Sequence, residues 1–431
     1  MNDARWSECM LKWDMPLQDK LYLAAKRSAN RRFGILMDKV TRPDFLWEAW
    51  RRVKKKRGAA GVDRQSIRQV KEYGEERFIL ELQELLQSGK YVASAIRRVY
   101  IPKDNGGKRP LGIPVVKDRV AQMAVKLVIE PLFEGDFCDH SYAFRPQRSN
   151  QQAAQRVHHL LNRRKWAVLI DLKGYFDTIP HDRLLDLVRQ RVSDRKVIHL
   201  IRQWLKAAVF NAGELEPTTS GTPQGGVLSP LLSNIYLHEF DRQWDSFHGE
   251  VIRFADDIVI LCWNRSQAEE ALRQACALLQ SLDLTVNREK TRVVHARDGF
   301  DFLGFRYKEA WSFRRNRWVR IKFPRPKALK KARQRIKERI RSVPLGEPLS
   351  EVIKVVNRTL RGWANYFRIG NSSQAGYELA RYTCEQLRLW WRRHKNRKRI
   401  RGTRRWPNSF YYDRGLLYVP ALLNTSKNAA R

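Results

Sequence analysis

Residues 251 to 263 read VIRFADDIVILCW. Val251, Ile252, Phe254, Ile258, Val259, Ile260 and Leu261 form a strand-like apolar run. Asp256 and Asp257 interrupt it. Burying charge without a partner is costly. An isolated Asp-Asp pair is ordinarily a solvated turn, but apolar flanks on both sides place this hairpin at the centre of a sheet. A third carboxylate, Asp171, ends a second apolar run, WAVLID, residues 166 to 171. Adjacent residues of an extended chain point to opposite faces. Asp256 and Asp257 therefore differ in role, and Asp256 is expected to face Asp171 across neighbouring strands. Such a pair repels unless cations bind it. Two divalent ions roughly 3.5 to 4 Å apart resolve the repulsion in phosphoryl transfer, and hard oxygen ligands favour Mg²⁺.

The composition narrows the partner. The chain has 431 residues, with 84 Lys and Arg against 45 Asp and Glu, a formal charge of +39. An excess of that size points to a polyanion. Its spread along the chain favours nucleic acid over a membrane surface, which a single basic amphipathic helix would serve. The sequence has no run of about 18 apolar residues, so no transmembrane helix is expected. Five scattered cysteines without a C-x-x-C pair fit a reducing cytosol better than a disulfide framework or a zinc site. The expected location is the cytoplasm.

Outward from the carboxylates, the first third reads as helical, with Asp44 as an N-cap after Pro43 and Leu46, Trp50 and Val53 at helical spacing. KKKRGAAGVDR, from Lys54, is a basic, glycine-broken loop. Residues 97 to 115 read as a hairpin turning at Asp104-Asn105-Gly106-Gly107. Residues 181 to 209 are helical in period. Residues 220 to 240 are a glycine-rich loop feeding an apolar helix, and RDGFDFLGFRY, residues 297 to 307, is a short hairpin. Beyond residue 325, Leu329, Ala332, Ile336 and Ile340 stripe one basic helix, and Val352, Val356, Leu360, Trp363 and Phe367 a second. Residues 388 to 405 hold ten Lys or Arg and no acid, a composition suited to binding RNA or DNA, since a merely solvated face intersperses acids.

Asp171 with Phe176, TPQGG at 222 to 226, FADD at 254 to 257, NREKT at 287 to 291 and FLGF at 302 to 305 stand in the order of reverse transcriptase motifs A to E. VYIPKDNGGKRPLGIPVVKDRVAQ, SYAFRPQRS and LRGWANYFRIGNS extend the likeness. From about residue 40 to 420 the chain resembles the reverse transcriptases, or maturases, encoded by group II introns. The resemblance implies an α+β right-hand polymerase, with fingers and palm built on antiparallel sheet, a helical thumb and a helical maturase domain. The implied divisions are 1–95 for an N-terminal extension and the start of the fingers, 96–310 for fingers and palm, 311–385 for thumb and maturase helices, and 386–431 for a basic RNA- or DNA-binding segment.

The resemblance also assigns roles. Asp171, Asp256 and Asp257 are catalytic, and Asp171, the Leu172 backbone and Asp256 hold two Mg²⁺ ions. Lys103 and Arg109, otherwise a solvated basic turn, reach the triphosphate of the incoming dNTP, a task that suits a point charge and a bidentate fork. Phe176, otherwise a core aromatic, is the steric gate against a ribose 2′-OH. Gln224 lines the nucleotide pocket. Lys290, otherwise a surface lysine, protonates the pyrophosphate leaving group. Phe302, Leu303 and Gly304 form the primer grip. The loop after Lys54 matches an extension that holds template RNA. Trp363 reads as core, while Tyr366 suits either core packing or stacking on a base. Phe254 stands where the family places tyrosine.

The implied partners are intron RNA as template, a DNA primer or target, and dNTPs. The implied function is to copy intron RNA into DNA and to assist its splicing and retrohoming. With only His394 and Cys384 in the last eighty or so residues, no endonuclease metal site is expected there. Two other readings share the motifs: a host-adopted relative serving DNA repair or phage defence, and an RNA-binding splicing factor with a vestigial polymerase.

Overall fold

The structure, a computed structural model, describes residues 16–102, 106–395 and 405–424. Its strands are β1 (Ile96–Pro102), β2 (Lys108–Ile113), β3 (Trp166–Ile170), β4 (Val209–Asn211), β5 (Glu214–Glu216), β6 (Glu250–Phe254), β7 (Asp257–Cys262), β8 (Arg292–His295), β9 (Phe300–Phe302), β10 (Phe305–Ser312) and β11 (Arg317–Pro324).

The central sheet has the order β6-β7-β3-β8, antiparallel throughout. Val168 lies opposite Ile260, and Ile170 opposite Ile258. These residues face a core built with the N-terminal helices. Ala167, Ile252, Val259 and Leu261, alternating with them, enter a second core shared with the C-terminal helices. Both faces are therefore covered, and VIRFADDIVILCW lacks the polar alternation of a sheet with one wet face.

On the first core lies the helix Pro43–Lys56, burying Phe45, Leu46, Ala49, Trp50 and Val53. Its N-cap is Arg42 and Pro43 takes the first turn. Asp44 is thus not the cap; it sits inside the helix and accepts two hydrogen bonds from Arg42 at 2.9 and 2.8 Å. Proline's fixed φ and missing N–H suit the first helical position, which moves the helix start upstream of Asp44. A second sheet, β2-β1-β4-β5, carries the expected β1–β2 hairpin. The tip of that hairpin, with Lys103, lies outside the described residues.

On the second core pack the helices Pro326–Arg341, Leu349–Phe367 and Ser373–His394. Ala332, Ile336 and Ile340 are the buried stripe of the first, and Val352, Val356, Leu360, Trp363 and Phe367 lie on that of the second. Between palm and helices stands a third sheet, β11-β10-β9. The hairpin expected to stop at Tyr307 is only its beginning. β10 runs on to Ser312 and pairs along its whole length with β11. The division expected at residue 310 falls inside β10, and that at 385 inside the helix Ser373–His394. Of the basic run from 388, residues 396–404 lie outside the described residues. Among the described residues no helix is long and apolar enough to cross a membrane.

Candidate active site

Asp171 follows β3 directly, and Asp256 and Asp257 close the β6–β7 hairpin. The last β3–β7 pair is Ile170 with Ile258. One step further along that register Asp171 comes beside Asp257, on the face that carries Leu169 and Val259. The two share a concave wall of about 410 Å³ with Lys290, Arg292, Asp301 and Arg325. Asp256 occupies the turn itself, after Ala255, whose φ is 57°. Positive φ at the first turn residue alone is the type II′ pattern, which ordinarily takes glycine. An alanine there stores about 1–2 kcal/mol of strain, so something must hold it.

Arg253 supplies the hold. It is fully buried, and its Nη1 donates to the Ala255 carbonyl and to Asn234 Oδ1, each at 3.2 Å. Its Nε donates to Asp241 Oδ1 at 2.8 Å, and Nη2 pairs with the other oxygen. Burial pushes the Asp241 carboxyl upward, but the Arg253 guanidinium beside it outweighs burial and holds it well below the ordinary range. His140 closes the network at 3.4 Å from Asp241.

The carboxylates at the turn resist ionisation. Burial, reinforced by the charge of Asp171, raises the Asp256 pKa, against the pull of Arg109 and Arg253. Asp257 has an exposed face, yet the protein crowding its carboxyl, followed by Asp256 and Asp171, raises its pKa to about 6, against Arg325 and Lys290. Lys290 Nζ lies 3.2 Å from Asp171 Oδ2. The bridge between Leu172 and Val286 has its bonds from Lys173 N to the Thr285 carbonyl and from Asn287 N to the Asp171 carbonyl, both 2.8 Å. Leu172 and Val286 are thus a non-hydrogen-bonded pair, and the Leu172 C=O points away from Val286.

Among the described residues, no three His, Cys, Asp or Glu side chains are drawn together as a ready-made metal cage. Two mutually repelling carboxylates and an outward carbonyl nevertheless suit Mg²⁺, which keeps waters and substrate phosphates in its shell and seldom uses an all-protein cage.

The neighbouring motifs surround this corner. Phe176 sits in the short helix Tyr175–Thr178, partly buried against the first core. Its carbonyl accepts from Thr222 N at 2.6 Å. Gln224 Nε2 donates to Asp177 at 3.2 and 3.3 Å, and its carbonyl accepts from Gly112 N at 2.7 Å. A Cβ on Gly225, at φ 117°, would lie 2.5 Å from the Gly112 carbonyl, which fixes glycine there. Arg109 is on β2, exposed.

Leu303 and Gly304, φ 47° and 79°, make the β9–β10 turn. Tyr366 Oη donates to the Leu303 carbonyl at 2.7 Å, and Tyr366 stacks on Phe305 with centroids 5.7 Å apart. Tyr366 therefore packs against the turn as core. Phe254 lies partly buried against the second core, opposite Asp257, and nothing in the structure explains phenylalanine over tyrosine. The backbone of the loop after Lys54 is pinned, with the Ala60 carbonyl accepting from Arg97 at 2.7 and 3.0 Å.

Residues 101–307 match the family described as reverse transcriptase (RNA-dependent DNA polymerase), and residues 329–407 the group II intron maturase-specific domain. Protein YkfC of Escherichia coli is 37% identical over 336 residues, 67% of this chain and 87% of that protein. The chain belongs to the group II intron reverse transcriptase and maturase family. The group II intron-encoded protein LtrA of Lactococcus lactis is 35% identical over 235 residues, 54% of this chain. A 91 kDa protein in the cob intron of Schizosaccharomyces pombe is 26% identical over 357 residues, 65% of this chain. The chain spans 39% and 44% of those two. The central sheet lies within the reverse transcriptase match and is accordingly the palm, and the basic helices from Pro326 onward carry the maturase-specific match.

Sequence reasoning missed three residues of this group II reverse transcriptase site. Arg253 was legible as a lone charge in an apolar strand, and Asp241 as one closing an apolar helix. Arg325, whose N donates to the Gly304 carbonyl at 3.0 Å, had no local signal.

Arg253→Met leaves Asp241 buried with only His140 beside it, and should cost about 3–5 kcal/mol in urea unfolding. The double variant R253M/D241L should recover most of that loss while RNA-templated primer extension stays depressed, because Ala255 remains unheld; full recovery of activity would show the pair to be only structural. Asp257 sets a pH dependence. Between its ordinary 3.8 and about 6, the folded carboxyl keeps a proton that the unfolded one has lost, so its contribution is largest below the ordinary value and is lost as pH rises through about 6. Without divalent ions, Asp257→Asn should flatten the fall in Tm over that window. Mg²⁺ should raise the wild-type Tm more at pH 7.5 than at pH 5.

Proposed function

We propose that this reverse transcriptase copies intron RNA into DNA with two Mg²⁺ ions, and that its basic surface binds the same RNA to assist splicing and retrohoming. The observation that carries the reading is that Asp171 and Asp257 share one wall at the end of the palm sheet, with Asp256 in the adjoining turn and Phe302 of β9 on the same wall. The cations, when bound, would favour loss of the proton from the attacking hydroxyl and stabilise the negative charge that develops on the leaving oxygen. Asp171 and Asp256, with the Leu172 carbonyl, would hold them, and Asp257 supports the pair.

The remaining steps belong to the chain's own groups. Arg109 meets the triphosphate with a bidentate fork, joined by Lys103. Gln224, tied to Asp177 and to Gly112, holds the wall of the nucleotide pocket, and the adjacent glycines let backbone approach the base pair. Phe176 closes the sugar side. Lys290, paired with Asp171 before substrate arrives, is released to give a proton to the departing pyrophosphate. Phe302, Leu303 and Gly304 position the primer end.

Asp256→Ala and Asp171→Ala should each cut primer extension on an RNA template by at least about 1,000-fold, several kcal/mol of barrier, with template binding retained. Equal rates in variant and wild type would sink the polymerase reading and leave an RNA-binding splicing factor. Phe176→Ala should raise ribonucleotide incorporation relative to dNTP by about 10-fold or more, read on a sequencing gel. An unchanged ratio would place Phe176 in the core only.

A further inference from the structure

The β10–β11 hairpin has a buried root and a bare tip. At the root, Phe305 and Tyr307 are fully buried, Glu309 pairs with Lys165, and Glu309 N donates to the Ala296 carbonyl at 2.8 Å. Arg320 donates to the carbonyls of His158 and His159 at 3.2 and 3.3 Å. The arm is thereby fixed to the end of the palm sheet remote from the carboxylates. Eight residues of strand carry its tip about 26 Å from the β9–β10 turn.

At the tip, Phe313 is 90% exposed, with Arg314, Arg315 and Arg317 around it. Trp311 and Trp318 lie directly opposite each other in the ladder, edge to face at 5.8 Å, and remain 40% and 45% exposed. Arg297 stacks on Trp318 at 4.4 Å. From Ala310 to Lys337 the sequence has twelve Lys or Arg and no acid. Among the described residues no ion pair joins Arg314, Arg315 or Arg317 to an acid.

A phenylalanine left in water at the end of a braced strand pair gains nothing for the fold. The cross-strand tryptophans already stabilise the hairpin without it. Three arginines that pair with no acid among the described residues are complementary to phosphates. A ring among them is complementary to a base that is not already stacked. Paired RNA offers no such base, because its deep groove is closed to side chains, whereas loops and single strands do.

We propose that the β10–β11 tip docks single-stranded RNA, with Phe313 stacking on an unpaired base while Arg314, Arg315 and Arg317 hold the flanking phosphates. The proposal rests on the RNA-binding part of that reading and places one contact of the RNA well away from the reacting ends. The partner is a looped or unpaired segment of a longer RNA that also reaches the palm.

The test uses the full chain, fluorescein-labelled 20-nucleotide single-stranded RNA, the RNA duplex and the DNA strand of the same sequence, and anisotropy across a salt series. Phe313→Ala should weaken single-strand RNA binding about 5- to 150-fold, the value of one stacked base, with duplex binding and the salt slope unchanged. Phe313→Trp should restore it. R314A/R315A/R317A should lower the slope of log K against log salt by about 2. RNA-templated primer extension at saturating template-primer should be the same in every variant, so an inactive wild type would defeat the polymerase reading without touching this one. Equal binding by wild type and F313A, equal losses on single strand and duplex, or a single-strand loss confined to DNA would overturn the proposal. So would loss of binding to anionic phospholipid vesicles with RNA binding intact.

Discussion

A sheet buried on both faces has to end in three carboxylates, and everything around it answers that constraint. The palm cannot relax to separate Asp171 from Asp256 and Asp257, because the strands that carry them are locked between two cores. The pKa values of Asp256 and Asp257 are raised, by burial first and by the neighbouring negative charges second. The chain sets counter-charges at the rim, Lys290, Arg325 and Arg109, but places only Lys290 within ion-pair distance of Asp171. A weaker constraint would let the carboxylates splay apart; a stronger internal counter-charge would leave no demand for an outside cation.

The turn shows the same economy. Ala255 takes a backbone conformation that glycine would adopt at no cost, and Arg253 fixes it by accepting full burial. A buried ion pair is weak grounds for stability, since desolvation offsets most of the attraction. Its value here is directional: the guanidinium has one arm on Asp241 and another on the carbonyl just before Asp256. Glycine at 255 would remove the strain and also the reason for the turn to hold one shape.

Much of this site was legible in the sequence because its signals are local. An apolar strand broken by two aspartates, a glycine-rich loop before an apolar helix, and apolar stripes on Lys- and Arg-rich helices can each be read within about twenty residues. What could not be read depends on partners far along the chain. Asp44 looked like a cap until Pro43 took the first turn of the helix. The start of β10 looked like the end of a hairpin closing at Tyr307, and β11 was not legible at all, because their pairing needs the chain to reverse at Phe313–Asn316, where no glycine or proline marks a turn. The lateral placement of Asp257 beside Asp171 follows from strand register, which alternation alone does not supply.

The β9–β10 turn is fastened to the C-terminal helices and to the residue that leads into them. Tyr366 bonds the Leu303 carbonyl, Arg325 N bonds the Gly304 carbonyl, and Phe305 packs on both Tyr366 and Phe367. A swing of the helix Leu349–Phe367 must therefore drag that turn with it, while the carboxylates stay behind on the sheet. The spacing between that turn and the carboxylates is thereby tied to the position of the helix Leu349–Phe367, a long lever whose short arm is a single turn.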